Sequence, residues 1–147
     1  MENGRILLLY SHESSFVRQD LRILQERYDV RPVLCSRSVK SREMLRLLRT
    51  VDMSVSWFAL GYAARAVLLG MILRRPSLVV AGGWDVVNMP EIDYGAVASP
   101  RGRRRARFIL RRASAVLTFS EWSGNAIRNL SGRDATLVYL GVDTEQF

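Results

Sequence analysis

The apolar residues of the chain fall into short unbroken runs, which alternate with longer amphipathic stretches. A short apolar run is typical of a strand buried on both faces, and apolar residues three and four apart indicate a helix. The sequence therefore predicts six strands, at residues 5–10, 30–35, 53–58, 78–81, 115–119 and 136–140. It predicts five helices, at residues 16–27, 44–50, 58–73, 103–113 and 121–130. This alternation predicts an α/β protein with a doubly wound, Rossmann-like, mostly parallel sheet and helices on both faces.

Three stretches refine this prediction. Pro32 lies near the start of the second strand, which favours an edge position in the sheet. Residues 58–73 are apolar except for Arg65, Tyr62 and two separate glycines. They are fewer than the ~20 residues that a membrane span needs, so we expect a buried helix. Residues 86–101 are predicted to be a long loop, and such loops are usually functional or mobile.

Composition limits the function without choosing it. The chain has 147 residues and a formal net charge of +8, with Lys40 as its only lysine. An arginine-rich surface suits phosphate groups, which occur in nucleic acids, anionic membranes and phosphorylated small molecules. Cys35 is the only cysteine and His12 the only histidine, so we expect a buried inert thiol, no disulfide and no histidine-rich metal site. The N-terminus lacks a signal-peptide pattern, and a cytoplasmic setting is expected.

The stretch from Leu78 to Asp85 is the strongest candidate for a functional site. An apolar run leads directly into Gly82, Gly83, Trp84 and Asp85. Ligands of open α/β sheets bind at the carboxyl ends of the strands, and glycine lets a ligand approach the backbone closely. The alternative is that the glycines only form a turn and that Asp85 only caps the next segment.

Polar residues follow two other predicted strands at the same edge. His12, Ser14 and Ser15 follow the first strand, and Ser120 and Glu121 follow the fifth. Amides that open a helix favour phosphate, whereas Glu121 is equally explained as a first-turn carboxylate. Further candidates for contact with a ligand are Phe16, Arg18 and Trp84, each with core packing or solvation as its alternative. Dinucleotide, Walker, hydrolase and Cys-x-x-Cys motifs do not occur.

Four stretches in this order resemble the N-terminal half of a GT-B glycosyltransferase of the large retaining class often called family 4. They are residues 15–21 with 28–30, residues 82–86 with 90–91 and 94–95, residues 112–121, and residues 139–147. The second stretch is similar to the loop after the family's fourth strand, and the last to the hinge between its two domains. Together they extend over almost the whole chain.

The resemblance implies a domain at residues 1–140 that binds a sugar or lipid-linked acceptor, followed at 141–147 by the start of a hinge. The family's C-terminal domain holds the nucleotide-sugar donor, so we expect this fragment to be inactive alone. No metal or cofactor is expected. Asp85 is predicted to orient the acceptor hydroxyl, and Gly82 and Gly83 to let sugar or diphosphate come close. Positioning of this kind supplies much of the rate.

The arginines of residues 103–113 leave a second partner open. At ~100° per residue, five arginines share the face opposite the apolar one: Arg103, Arg104, Arg107, Arg111 and Arg112. This face either contacts an anionic membrane surface, consistent with a peripheral protein on the inner face of the cell membrane, or is merely solvated. A non-catalytic basic module that binds nucleic acid is the competing function. It ranks lower because Phe108 is the only aromatic residue among the arginines.

Overall fold

The computed structural model describes residues 4–36, 39–141 and 144. Its strands are β1 (Arg5–Tyr10), β2 (Asp29–Leu34), β3 (Met53–Trp57), β4 (Ser77–Ala81), β5 (Ala115–Thr118) and β6 (Thr136–Leu137). They form one sheet in the order β2-β1-β3-β4-β5-β6, and every pairing is parallel. The predicted Rossmann-like α/β fold is confirmed. Pro32 lies in β2, at the edge of the sheet, as its missing N–H requires.

Five α-helices connect the strands: α1 (Ser15–Gln25), α2 (Ser41–Arg49), α3 (Gly61–Leu73), α4 (Pro100–Arg112) and α5 (Glu121–Ser131). Helix α4 begins before the predicted residue 103 because Ser99 caps it, with its Oγ accepting from Gly102 N at 3.0 Å. Proline suits the first helical position that follows such a cap. The prediction missed this Ser-Pro signal.

Other predicted bounds also differ from the structure, since α2 begins at Ser41 rather than at residue 44 and α3 begins at Gly61 rather than at residue 58. Strand β6 ends at Leu137, three residues before the predicted end. The stretch 86–101 is not an unstructured loop, because it contains the 3-10 helix Pro90–Ile92 and a bridge between Met89 and Tyr94. Of the predicted hinge at 141–147, only Gly141 and Thr144 belong to the described residues, and the others lie outside them.

The two faces of the sheet are covered unequally. Leu7 and Leu9 of β1 point into a large core that α2, α3, α4 and α5 cover. Ile6, Leu8 and Tyr10 point to the other face, where α1 packs through Val17. Helices therefore lie on both faces, as predicted, but one face carries a continuous helical layer and the other a single helix.

Helix α3 is only partly the buried helix that its sequence predicts. Ala63, Ala66 and Val67 are fully buried against the sheet, whereas Leu68, Met71 and Ile72 are exposed on the outer side. Within residues 4–36, 39–141 and 144, no helix is both long and apolar enough to cross a membrane.

Candidate functional site

The loops that follow β1, β3, β4 and β5 meet at the carboxyl edge of the sheet. Parallel pairing brings the ends of these strands to the same side. The predicted site residues follow β1, β4 and β5, so the fold brings them to one edge. We refer to this region, residues 11–16, 58–61, 82–85 and 119–122, as the carboxyl-edge site.

The loops after β1 and β3 contact each other through an aromatic pair. The exposed His12 ring stacks on Phe58, with ring centroids 5.6 Å apart and planes inclined by 14°. The Ser11 hydroxyl lies 3.1 Å from His12 Nδ1. Phe58 has a φ of 72°, a left-handed conformation that is strained for a residue with a side chain. The Phe58 ring therefore packs against one face of the His12 ring and holds His12 at the surface of the site.

Asp85 ties the loop after β3 to the loop after β4. Its Oδ2 accepts a hydrogen bond from Ala59 N at 2.7 Å, and its Oδ1 accepts from Gly82 N and Gly83 N at 2.9 and 3.0 Å. The residue is completely buried. Burial raises the pKa of the Asp85 carboxyl above its ordinary value, and the backbone N–H groups oppose this rise.

The surroundings of Asp85 bear on the role that the sequence suggested. Both carboxylate oxygens are occupied by backbone donors, and no part of the residue is exposed to solvent. A direct contact with an acceptor hydroxyl stays a prediction. What the geometry supports is a positioning role, because the carboxylate holds together two loops, one of which carries the exposed Trp84.

The glycine pair allows side chains of the protein to pack closely around the end of β4. A Cβ at Gly82 would overlap the Phe58 ring, and a Cβ at Gly83 would lie 3.1 Å from Ser123 Oγ. Gly83 also has a φ of 112°, which a residue with a side chain rarely adopts. The amides of both glycines already donate to Asp85. Close packing and these hydrogen bonds therefore explain why both positions are glycine, and the predicted approach of a sugar or diphosphate is not needed for that.

The first turn of α1 also lies at this edge. Ser14 caps the helix, with its Oγ accepting from Val17 N at 3.4 Å. Ser15 and Arg18 are exposed, and neither makes a hydrogen bond within the described residues that would fix its side chain. Phe16 is half-buried against Trp57, with ring centroids 4.8 Å apart, so it packs in the core rather than pointing freely into the site.

Helix α5 contributes a feature that sequence reasoning missed. Ser120 caps the helix through Ser123 N at 3.1 Å, and its Oγ lies 2.8 Å from Ser123 Oγ. Glu121 is exposed in the first turn. Trp122 follows, 52% exposed, beside Gly83, while Trp84 is 44% exposed. The place of Trp122 in the first turn of the helix that follows β5 was the signal that could have identified it.

Three cavities adjoin the carboxyl-edge site, and the smallest, of about 210 Å³, is lined by Ser120 and Glu121. One of about 610 Å³ lies between α4, α5 and the stretch after β4, and its lining combines apolar residues with Trp122, three asparagines and the arginines Arg103 and Arg107. Another of about 290 Å³ lies between α1 and the segment after β6, with Trp57 in its wall. Trp57 Nε1 donates to Asp20 Oδ2 at 3.1 Å, and burial raises the pKa of the Asp20 carboxyl while this bond opposes it.

The arginines that the sequence assigned to a membrane face divide into two groups. Arg107 Nε donates to Leu130 O at 3.0 Å, and Arg111 Nε donates to Ser131 O at 2.8 Å. These two therefore satisfy carbonyl groups at the end of α5. Arg103 and Arg104 are exposed, and both line a surface depression at the start of α4.

In the part of the chain that the structure describes, no three His, Cys, Asp or Glu side chains lie close enough to hold a metal ion. Neither the protein-family models nor the curated proteins compared with this sequence give a match. The family resemblance thus stays a prediction, and any function must be argued from the site.

Proposed function

We propose that this chain is the acceptor-binding domain of a GT-B glycosyltransferase, similar to the retaining enzymes of family 4. A nucleotide sugar, held by a second domain, is the donor, and a glycan or lipid-linked sugar is the acceptor. The proposed setting is the cytoplasm. The all-parallel sheet and the four motifs in order support this function, and neither requires a metal or cofactor.

In the proposed reaction the acceptor hydroxyl attacks the anomeric carbon on the face from which the diphosphate leaves. The new C–O bond forms as the bond to the leaving phosphate breaks, and that phosphate takes the hydroxyl proton. This domain supplies position: it holds the hydroxyl within bonding distance of the donor, which accounts for much of the rate.

Each part of the carboxyl-edge site has a role in this proposal. His12 and Glu121 are exposed there and can accept hydrogen bonds from sugar hydroxyls. Trp84 and Trp122 offer apolar ring faces against which a sugar can pack. Asp85 is a positioning residue, because its bonds set the path of the backbone between these groups.

The observation that carries the proposal is the exposure of His12, Trp84 and Trp122 in segments that follow strands at the same edge of the sheet, where the buried Asp85 joins the loops after β3 and β4. Exposed aromatic residues beside polar groups at the carboxyl ends of parallel strands are typical of ligand sites in open α/β folds.

The proposal is tested by titrating the chain with a panel of alkyl glycosides and a short-chain polyprenyl diphosphate sugar. We expect saturable binding of at least one probe, weakened about tenfold or more by His12→Ala and Trp122→Ala. Tyr28→Ala is the matched control, since Tyr28 is an exposed aromatic residue that precedes β2 at the opposite edge.

Binding of no probe, or equal losses in His12→Ala and Tyr28→Ala, would contradict the acceptor site. The competing function, a basic module that binds nucleic acid, predicts instead an affinity for oligonucleotides that falls steeply with salt.

A further inference from the structure

The outer side of α3 carries an aliphatic stripe that the protein leaves uncovered. Leu68, Met71 and Ile72 are 48%, 46% and 68% exposed. Their spacing of three and four residues puts them on one face of the helix. Helix α3 packs between α2 and α4 in the layer that covers the sheet. The stripe therefore runs along the middle of an outward-facing helical surface.

Arginines border this stripe on both sides. Helix α2 exposes Arg42, Arg46 and Arg49, spaced four and three residues apart, and α4 exposes Arg101, Arg104 and Arg112. The ion pairs found among the described residues involve other arginines, Arg5, Arg75 and Arg128. Glu43 is the only acidic residue in α2, α3 and α4. We call the six arginines and the aliphatic stripe the α2–α4 face.

We propose that the α2–α4 face docks on an anionic lipid bilayer, with the aliphatic stripe entering the interface and the arginines contacting lipid phosphates. A surface binds in this way when an apolar strip adds buried area to the attraction between cations and anionic lipid. Each arginine near such a membrane contributes on the order of 1 kcal/mol, which is about fivefold in binding.

Charge and apolar character together favour a bilayer over a nucleic acid. Nucleic-acid surfaces offer phosphates and stacked bases, and proteins meet the bases with aromatic side chains. The centre of the α2–α4 face is aliphatic and the face contains no aromatic residue, since Phe108 of α4 is half-buried against the core. Exposed aliphatic side chains gain nothing from a phosphate backbone, whereas a lipid interface can bury them.

This surface differs from the one that the sequence suggested. Arg107 and Arg111 of α4 donate to carbonyl groups of α5 and lie toward that helix. Arg104 and Arg112 belong to both surfaces, whereas the other arginines of the α2–α4 face are Arg101 and three residues of α2. The apolar component comes from α3, a helix that was expected to be buried.

The test measures partitioning of the whole chain onto phosphatidylcholine vesicles with and without phosphatidylglycerol. We expect binding only to the anionic vesicles, and a loss of binding as salt rises. The double variant Leu68→Ser/Ile72→Ser removes the apolar contribution, with an expected loss of about tenfold or more. The variant Arg46→Gln/Arg49→Gln tests the cationic part independently, with an expected loss of about fivefold for each arginine.

Matched controls come from the other face of the sheet. Ile23→Ser changes an exposed aliphatic residue of α1. Arg22→Gln/Arg27→Gln changes two exposed arginines, one in α1 and one just after its end. Both are expected to bind as wild type does. Equal binding to neutral and anionic vesicles, or equal losses in control and test variants, would overturn the proposal. So would oligonucleotide binding that exceeds vesicle binding and survives Leu68→Ser/Ile72→Ser. None of these results depends on glycoside binding at the carboxyl-edge site.

Discussion

Replacing Asp85 with alanine removes the acceptor of three backbone N–H groups from the interior. Each buried N–H that loses its acceptor costs about 1–3 kcal/mol, so the three together cost about 3–9 kcal/mol. The substitution also relieves the cost of burying a carboxylate, which is several kcal/mol. Because these two effects oppose each other, we expect the free energy of unfolding to fall by about 3 kcal/mol, the lower end of the range for the three lost hydrogen bonds.

The assay is urea unfolding followed by tryptophan fluorescence, with thermal unfolding in parallel. For a chain of this size a loss of about 3 kcal/mol lowers Tm by about 6–12 °C. Asp134→Ala is the control, because Asp134 is an exposed carboxylate paired with Arg128 and should cost less than about 1 kcal/mol. If Asp85→Ala destabilises the protein no more than Asp134→Ala does, Asp85 does not hold the two loops together.

Three further predictions follow from single positions. Gly82→Ala should lower the free energy of unfolding by about 1–3 kcal/mol in urea titrations, because its Cβ would overlap the Phe58 ring; no change would mean that Phe58 moves freely. Burial raises the pKa of the Cys35 thiol to about 11, so iodoacetamide should modify the folded chain about a hundredfold more slowly near neutral pH than the urea-unfolded one. A similar rate in both would contradict this. Because burial raises the pKa of Asp85, the folded state holds that proton more tightly than the unfolded state, so the stability of wild type relative to Asp85→Asn should fall as pH rises through the raised pKa. Urea midpoints of the two proteins check this, and a difference that grows with pH in favour of wild type would reverse the sign.

The strands and most of the helices could be predicted because their signals are local. The bounds of β1 match those predicted, since residues 6–10 form an unbroken apolar run directly after Arg5 and a polar N-terminus. Pro32 identified an edge strand through its missing N–H. The exposed side of α3 could not be read in this way, because an almost uniformly apolar helix carries no signal for which side faces the sheet.

The position of the candidate residues at the carboxyl edge of the sheet could be predicted, but their contacts could not. The strand order brought Asp85 to the expected edge, whereas its bond to Ala59 N joins residues 26 positions apart and leaves no local trace in the sequence. The left-handed turn at Phe58 is equally hidden, since aromatic residues rarely adopt that conformation. Such contacts depend on how two loops pack in three dimensions.

The acceptor site is tested most directly by mapping amide chemical shifts of the ¹⁵N-labelled chain while a binding alkyl glycoside is added. The account predicts that the shifts concentrate in residues 11–16, 58–61, 82–85 and 119–122, together with the indole signals of Trp84 and Trp122. Saturable shifts confined to the opposite edge of the sheet, or no shifts with any glycoside, would contradict it.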